Sequence, residues 1–271
     1  MSLWVELLLV LIIFFIILRI IALKNNESPS INEDNQYLYG EKECHTFTEI
    51  TDNIAKKPQE NYSCEKTVYE KTWKRLLDCL LSFSGLIILS PLFFILYLVI
   101  KIDDRGPVFF KQKRVGVNKT FFYLHKFRSM KMSTPHDIPT HMLDNPDQYI
   151  TKIGKIMRKT SLDELPQLWD IFRGKLSIIG PRPALWNQND LVAERDLYYA
   201  NNVLPGLTGW AQINGRDELA ISEKAKFDGE YVKKLHKGGG GAFIFDCKCF
   251  IGTIFSVLRC DGIVEGGTRT K

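Results

Sequence analysis

The chemistry this sequence offers centres on two adjacent carboxylates, Asp163 and Glu164, in TKIGKIMRKTSLDELPQLWDIFRG (151–174). Ser161 and Glu164 have capping-box spacing: Ser161 would be the N-cap and Glu164 would reach back to its backbone N–H. Pro166 is tolerated there because it falls in the first helical turn. Ile153, Ile156 and Met157 predict a short helix ending near Lys159, and Leu165, Leu168, Trp169 and Phe172 give the next helix an apolar face. Capping accounts for Glu164 and leaves Asp163 over. A carboxylate in a first turn feels the positive helix end and stays ionised, and the same end favours phosphate. Asp163 could therefore share Mg²⁺ with substrate phosphates or attack phosphorus as a nucleophile. Local physics leaves capping and catalysis both open.

Three cationic segments could serve such a carboxylate. Gly180-Pro181-Arg182-Pro183 is a rigid turn, since each proline fixes its own φ and restricts the residue before it. A rigid backbone presenting one guanidinium suits bidentate phosphate contact. PGLTGWAQINGR (205–216) is a second Gly-rich loop and ends in Arg216. Residues 111–133, KQKRVGVNKTFFYLHKFRSMKMS, hold seven Lys/Arg and no acid, and FFYLHKF within them has strand character. That stretch suits anionic lipid headgroups or a phosphate-binding wall.

The elements around these residues point to a membrane. The chain has 271 residues, 36 Lys+Arg against 31 Asp+Glu for a net +5, and 45% hydrophobic residues. That mild basic balance does not imply nucleic acid, and the composition is globular. Mean hydropathy of −0.10 hides two apolar runs. Residues 3–23, LWVELLLVLIIFFIILRIIAL, are long enough to cross a bilayer. They lack the basic start and small-residue cleavage site of a signal peptide. Arg19 and Lys24 at the C-terminal end place the rest of the chain in the cytoplasm. Residues 24–70 are polar and aperiodic, and read as a linker. The second run, 80–100, is flanked by Lys71, Lys74 and Arg75 on one side and by Lys101, Arg105 and Lys111 on the other. Both ends favour the cytoplasm, and Ser90-Pro91 near the middle bends a helix. A re-entrant helix-break-helix satisfies both facts. The six cysteines form no CxxC and no zinc spacing, so structural thiols in a reducing compartment are expected.

These segments, in this order, resemble the bacterial sugar transferases, the small monotopic phosphoglycosyl transferases. KRLLDCLLSFSGLIILSP, GPVFFKQKRVG, HKFRSM, RKTSLDELPQLWDIFRGKLSIIGPRP and PGLTGWAQINGR carry the resemblance across about 71–216, with a weaker match to about 260. The resemblance implies transfer of a sugar-1-phosphate from a UDP-sugar to undecaprenyl phosphate, with Mg²⁺, to start a lipid-linked glycan. Asp163 would be the nucleophile and a Mg²⁺ ligand, forming a covalent phosphosugar and releasing UMP. Glu164 would complete the dyad in a supporting role. Lys126, Arg158, Arg182 and Arg216 would contact phosphate and nucleotide, and Ser90 and Pro91 would form the membrane break. The chain departs from the family at Asp170, where Asn is common, and this adds a charge near the dyad. It departs again at KLHKGGGGAFIFD (234–246), where Gly238–Gly241 is expected to be poorly structured and Asp246 to stand for the family's Asp.

The expected fold is α+β and helix-rich. It comprises a transmembrane anchor (1–23), a linker (24–70), a monotopic catalytic domain (71–260, re-entrant over about 76–100) and a tail (261–271). Amphipathic helices such as 186–199 would rest on the membrane. The resemblance places the protein in the bacterial inner membrane with its catalytic domain cytoplasmic. Partners would be membrane lipids, a second copy or downstream glycosyltransferases, and no nucleic acid. Two other classes compete: a silent membrane scaffold that binds polyprenyl phosphate, and a glycosyltransferase that moves only the sugar and releases UDP.

Overall fold

The computed structural model describes residues 66–134, 146–215 and 218–259. The anchor expected over 1–23, most of the linker, Arg216 and the tail lie outside the described residues. Helix α1 (Tyr69–Ile88) begins with a π-helical turn and is followed by α2 (Ser90–Asp103). Helical structure thus already holds at Tyr69, within the stretch read as linker, because Tyr69 is a buried core residue. The two helices are bent by 60° at Leu89. Ser90 Oγ donates to the Ile87 carbonyl at 2.8 Å, and Pro91 sits in the first turn of α2, where its missing N–H costs nothing. The outer faces of both helices are apolar, with Leu80, Leu81, Ile87, Ile88, Phe94 and Ile95 exposed.

Strands β1 (Phe109–Val115) and β2 (Phe121–Phe127) form an antiparallel hairpin in which Phe110 faces Lys126. Helix α3 (Lys152–Lys159) is capped by the Thr151 hydroxyl, which accepts from the Gly154 N–H. A 3₁₀ turn (Leu162–Glu164) leads through Leu165 and Pro166 into α4 (Gln167–Arg173), which ends on left-handed Gly174. Strand β3 (Ser177–Ile179) pairs in parallel with β4 (Gly206–Thr208) after a crossover through α5 (Asn189–Asp196). Helices α6 (Trp210–Ile213), α7 (Ile221–Lys237) and α8 (Gly239–Arg259) complete the described chain.

The start of α1 is fastened to the layer that follows it. Arg75 Nη2 donates to the carbonyls of Ile171 and Phe172 at 2.7 and 3.0 Å, so its guanidinium caps the C-terminus of α4. Asp78 accepts from the Ile178 N–H at 3.0 Å. Lys74 donates to Asp246 at 2.8 Å, and Tyr69 and Tyr231 donate to the same carboxylate at 2.8 and 3.0 Å. Lys74 and Arg75, which from sequence look like flanking surface charges, are spent on internal contacts. Asp246 is a buried anchor on the inner face of α8.

Two expectations are corrected by packing. Gly238–Gly241 is ordered: Gly238 ends α7 at φ 65° and Gly239 begins α8 at φ 64°, two adjacent positive-φ residues that glycine adopts without strain between the helices. The glycines serve a tight corner and not a loose loop. The helix expected over 186–199 is only Asn189–Asp196, and its inner face carries Arg195, whose Nε donates to buried Asp228 at 2.8 Å. By length and composition, Gly239–Val257 of α8 is the one unbroken helix among the described residues that could cross a membrane. One face of it buries Ala242, Asp246 and Cys249 while Ile244, Ile251 and Phe255 remain exposed.

Candidate functional site

The dyad sits where the hairpin, the 3₁₀ turn and the β3–β4 layer meet. Ser161 adopts a left-handed conformation, φ 56°, and its side chain makes no cap bond. The capping box is therefore not formed. Glu164 is drawn elsewhere by charge: Lys126 Nζ donates to its Oε1 at 3.0 Å, Arg182 Nη1 donates to Oε2 at 3.2 Å, and Arg182 Nη2 closes on Oε1. A buried carboxylate gains more from two cations than from one backbone N–H.

Each partner is positioned by its element. Lys126 projects from β2 on the face that carries Phe122 and Leu124, both packed against Ile171 and Leu176. Arg182 leaves β3 on the Gly180-Pro-Arg-Pro turn, which is fastened by Gly180 N–H to Thr208 O and Gly206 N–H to Pro181 O, both at 2.8 Å. The turn accepts no side chain at its start: a methyl on Gly180 would stand 2.6 Å from the Leu204 carbonyl oxygen. Arg114 donates to the Pro183 carbonyl at 2.9 Å and holds the turn from the hairpin side. Arg158, at the end of α3, donates to Ser129 Oγ at 2.9 Å.

The two carboxyls are electrostatic opposites. Burial raises the Glu164 pKa, but Arg182 and then Lys126 outweigh it and hold the group well below the usual glutamate range. Burial raises Asp163, Lys126 opposes that, the neighbouring Glu164 adds to it, and Arg158 and Arg182 oppose it; the net shift is upward. Asp163 is 9% exposed, and the described residues give its carboxyl no hydrogen-bond donor. Burial foremost lowers the Lys126 pKa, with Glu164 pulling it back up and Arg182 adding to the fall. The arrangement is one locked carboxylate, one free carboxyl and three cations, a setting suited to a polyanion that meets a nucleophile.

Of the expected site residues, Asp163, Glu164, Lys126, Arg158 and Arg182 converge, and Arg216 lies outside the described residues. Within the basic stretch 111–133, Lys126 reaches the dyad, while Arg128 pairs with Asp104 and Lys119 with Asp196. Asp170 adds no free charge to the dyad. Its carboxylate takes the His125 backbone N–H at 2.8 Å and lies 2.7 Å from His125 Nδ1. This clamp ties α4 to β2 one residue from Lys126 and was not anticipated from sequence. The clue available there was the acid seven positions after Asp163, two helical turns along the same face. Among the described residues no three His, Cys, Asp or Glu side chains gather as a metal site. Both Glu164 oxygens are engaged by cations, which leaves Asp163 as the carboxylate able to meet a divalent ion carried by a diphosphate.

A family described as bacterial sugar transferase matches residues 69–260. An uncharacterized sugar transferase of Bacillus subtilis, EpsL, is 37% identical over 193 residues, covering 71% of this chain and 90% of that protein. The UDP-glucose:undecaprenyl-phosphate glucose-1-phosphate transferase of Escherichia coli is 37% identical over 189 residues, covering 67% of this chain and 39% of its own length. The undecaprenyl-phosphate galactose phosphotransferase of Salmonella typhimurium is 31% identical over 249 residues, covering 86% of this chain and 48% of its own. The chain thus spans less than half the length of those last two relatives.

Proposed function

Because this chain belongs to the bacterial sugar transferase family, we propose that it moves a sugar-1-phosphate from a UDP-sugar to undecaprenyl phosphate. The observation that carries this is the division of labour at the dyad: Glu164 fixed between Lys126 and Arg182, and Asp163 beside it with no hydrogen-bond donor among the described residues. An Asp163 oxygen attacks the β-phosphorus of the UDP-sugar. The bond from that phosphorus to the bridging oxygen breaks, and its electron pair leaves on UMP. A phosphate oxygen of undecaprenyl phosphate then attacks the same phosphorus and expels the Asp163 carboxylate, giving the lipid diphosphate sugar. Neither displacement needs a proton from the enzyme.

Lys126, Arg158 and Arg182 hold the diphosphate and offset charge that builds on the departing UMP. Mg²⁺ would supply further neutralisation of the diphosphate, with Asp163 as its protein ligand. The bent α1–α2 pair, apolar outside and bolted inside through Arg75 and Asp78, suits a re-entrant membrane element at the inner membrane. That placement would bring the lipid phosphate to the cytoplasmic site, where the first sugar of a lipid-linked glycan is added.

The test is nucleotide release by detergent-solubilised protein given undecaprenyl phosphate, Mg²⁺ and either UDP-glucose or UDP-galactose, beside Asp163→Asn. UMP from one donor, lost in the variant, is expected. UDP as product would overturn the aspartyl intermediate.

A further inference from the structure

The dyad segment carries one buried polar group that the reaction above does not use. Positions 163, 166, 167, 170 and 171 are all buried and form the i, i+3, i+4, i+7, i+8 stripe of a helical path. Leu165 and Pro166 both keep helical dihedrals, so the chain runs from the 3₁₀ turn into α4 without a break, wound more tightly than an α-helix by the three-residue hydrogen bonds of Leu165, Leu168 and Trp169. Gln167 lies on that stripe four residues after Asp163. It is 1% exposed, and its Nε2 has no hydrogen-bond partner among the described residues.

A buried amide nitrogen without an acceptor is costly to keep. Four residues earlier stands the complementary deficiency, a carboxyl with no donor among the described residues. Helical side chains lean toward the N-terminus, so Gln167 leans over the turn that carries Asp163. Gln and Asp four apart on one helix face are within hydrogen-bonding reach. A half-turn about the last side-chain bond exchanges amide nitrogen and oxygen, which lets the NH₂ face the acceptor.

We infer that Gln167 is the positioning residue of the nucleophile: its Nε2–H holds one oxygen of Asp163 and aims the other at the β-phosphorus. Given Asp163 as the nucleophile, as proposed above, the oxygen that bonds phosphorus becomes the acyl-phosphate bridge. The oxygen held by Gln167 becomes the carbonyl, which still accepts the same bond. The amide is therefore satisfied in the working complex and through the intermediate, and unsatisfied only in the resting site. Lys126, Arg158 and Arg182 surround the same carboxyl with charge but give it no fixed direction. A neutral donor on the helix that carries the nucleophile supplies direction without adding charge.

The test is Gln167→Met, close in volume and without a donor, compared with wild type and Asp163→Asn in membranes or detergent. Removing an unpaired buried amide should leave the thermal midpoint unchanged or higher. The burst of UMP release should fall about ten-fold or more, as for loss of one hydrogen bond to a charged group. KM for the UDP-sugar should hold while kcat falls, since the lost bond orients the nucleophile and does not touch the donor substrate. Gln167→Glu should be slower still, since it sets a second carboxylate against Asp163. An unchanged burst overturns the inference while leaving Asp163 as nucleophile. A lower midpoint together with a raised KM also overturns it, by making Gln167 a structural or substrate contact. A wild type that releases no UMP, with the protein folded, overturns the parent reaction and this role with it.

Discussion

Arg182→Met is the substitution whose cost follows most directly from the geometry. Glu164 is 13% exposed and Arg182 24% exposed on their side chains, so this is a largely dry pair. Removing one partner of a buried ion pair costs about 3–5 kcal/mol. Here Lys126 remains 3.0 Å from the same carboxylate, and water reaches the arginine side, so about 2 kcal/mol is the expected loss. In a domain of this size that is a fall of about 4–8 °C in the midpoint of unfolding. If the same guanidinium also grips the diphosphate, kcat/KM should fall by about thirty-fold or more. Arg182→Lys keeps the charge but loses the fork, and should recover part of the midpoint and little of the rate. The sign with pH is fixed by Glu164, whose folded pKa is depressed. Such a carboxylate contributes its stability above the unfolded value and loses it as pH falls through the folded one. The midpoint difference between wild type and Arg182→Met should therefore be full at pH 7 and shrink only below the ordinary glutamate value of 4.5. The assays are differential scanning fluorimetry across pH and UMP release at pH 7. An unchanged midpoint with unchanged kcat/KM would refute the geometry.

The rate of UMP release should follow a bell in pH, with an acid limb above the ordinary aspartate value and an alkaline limb below the ordinary lysine value, from the raised Asp163 and the lowered Lys126. Lys126→Met should push the acid limb higher, since Lys126 is the strongest charge holding Asp163 down; Glu164→Gln should lower both limbs, and movement the other way would contradict the assignment. Asp170→Ala should cost about 2–4 kcal/mol by leaving the His125 N–H and ring without their acceptor, whereas Asp170→Asn, which can still accept that N–H, should recover most of it in thermal melts.

Much of the site was legible because its carriers are local. The helix ending at Lys159, the strand over Phe121–Phe127 and the bend at Ser90-Pro91 follow from periodicity, strand character and proline sterics within a few residues. The Ser90 hydroxyl satisfies the carbonyl that such a bend frees. What failed was the assignment of partners. The capping box has correct spacing, and the backbone still breaks it at Ser161, because Glu164 finds Arg182 eighteen residues on and Lys126 thirty-eight residues back. The glycine run was misjudged for a related reason. Four glycines in isolation are loose, but two positive-φ residues between packed helices make a corner.

The sequence by itself determined the family, the charged segments that meet at the candidate site and the order of the elements, since these rest on residue type and short-range geometry. The tertiary structure alone decided which carboxylate is locked and which is free. It also made Lys74 and Arg75 internal fasteners, gave Asp170 to His125 and left the buried amide nitrogen of Gln167 without a partner among the described residues. Those outcomes depend on burial and on charges brought together from distant segments, as Lys74 is from Asp246 across 172 positions. A side chain's partner and its protonation are set by the dielectric and the neighbours that folding supplies, and neither is written in local spacing.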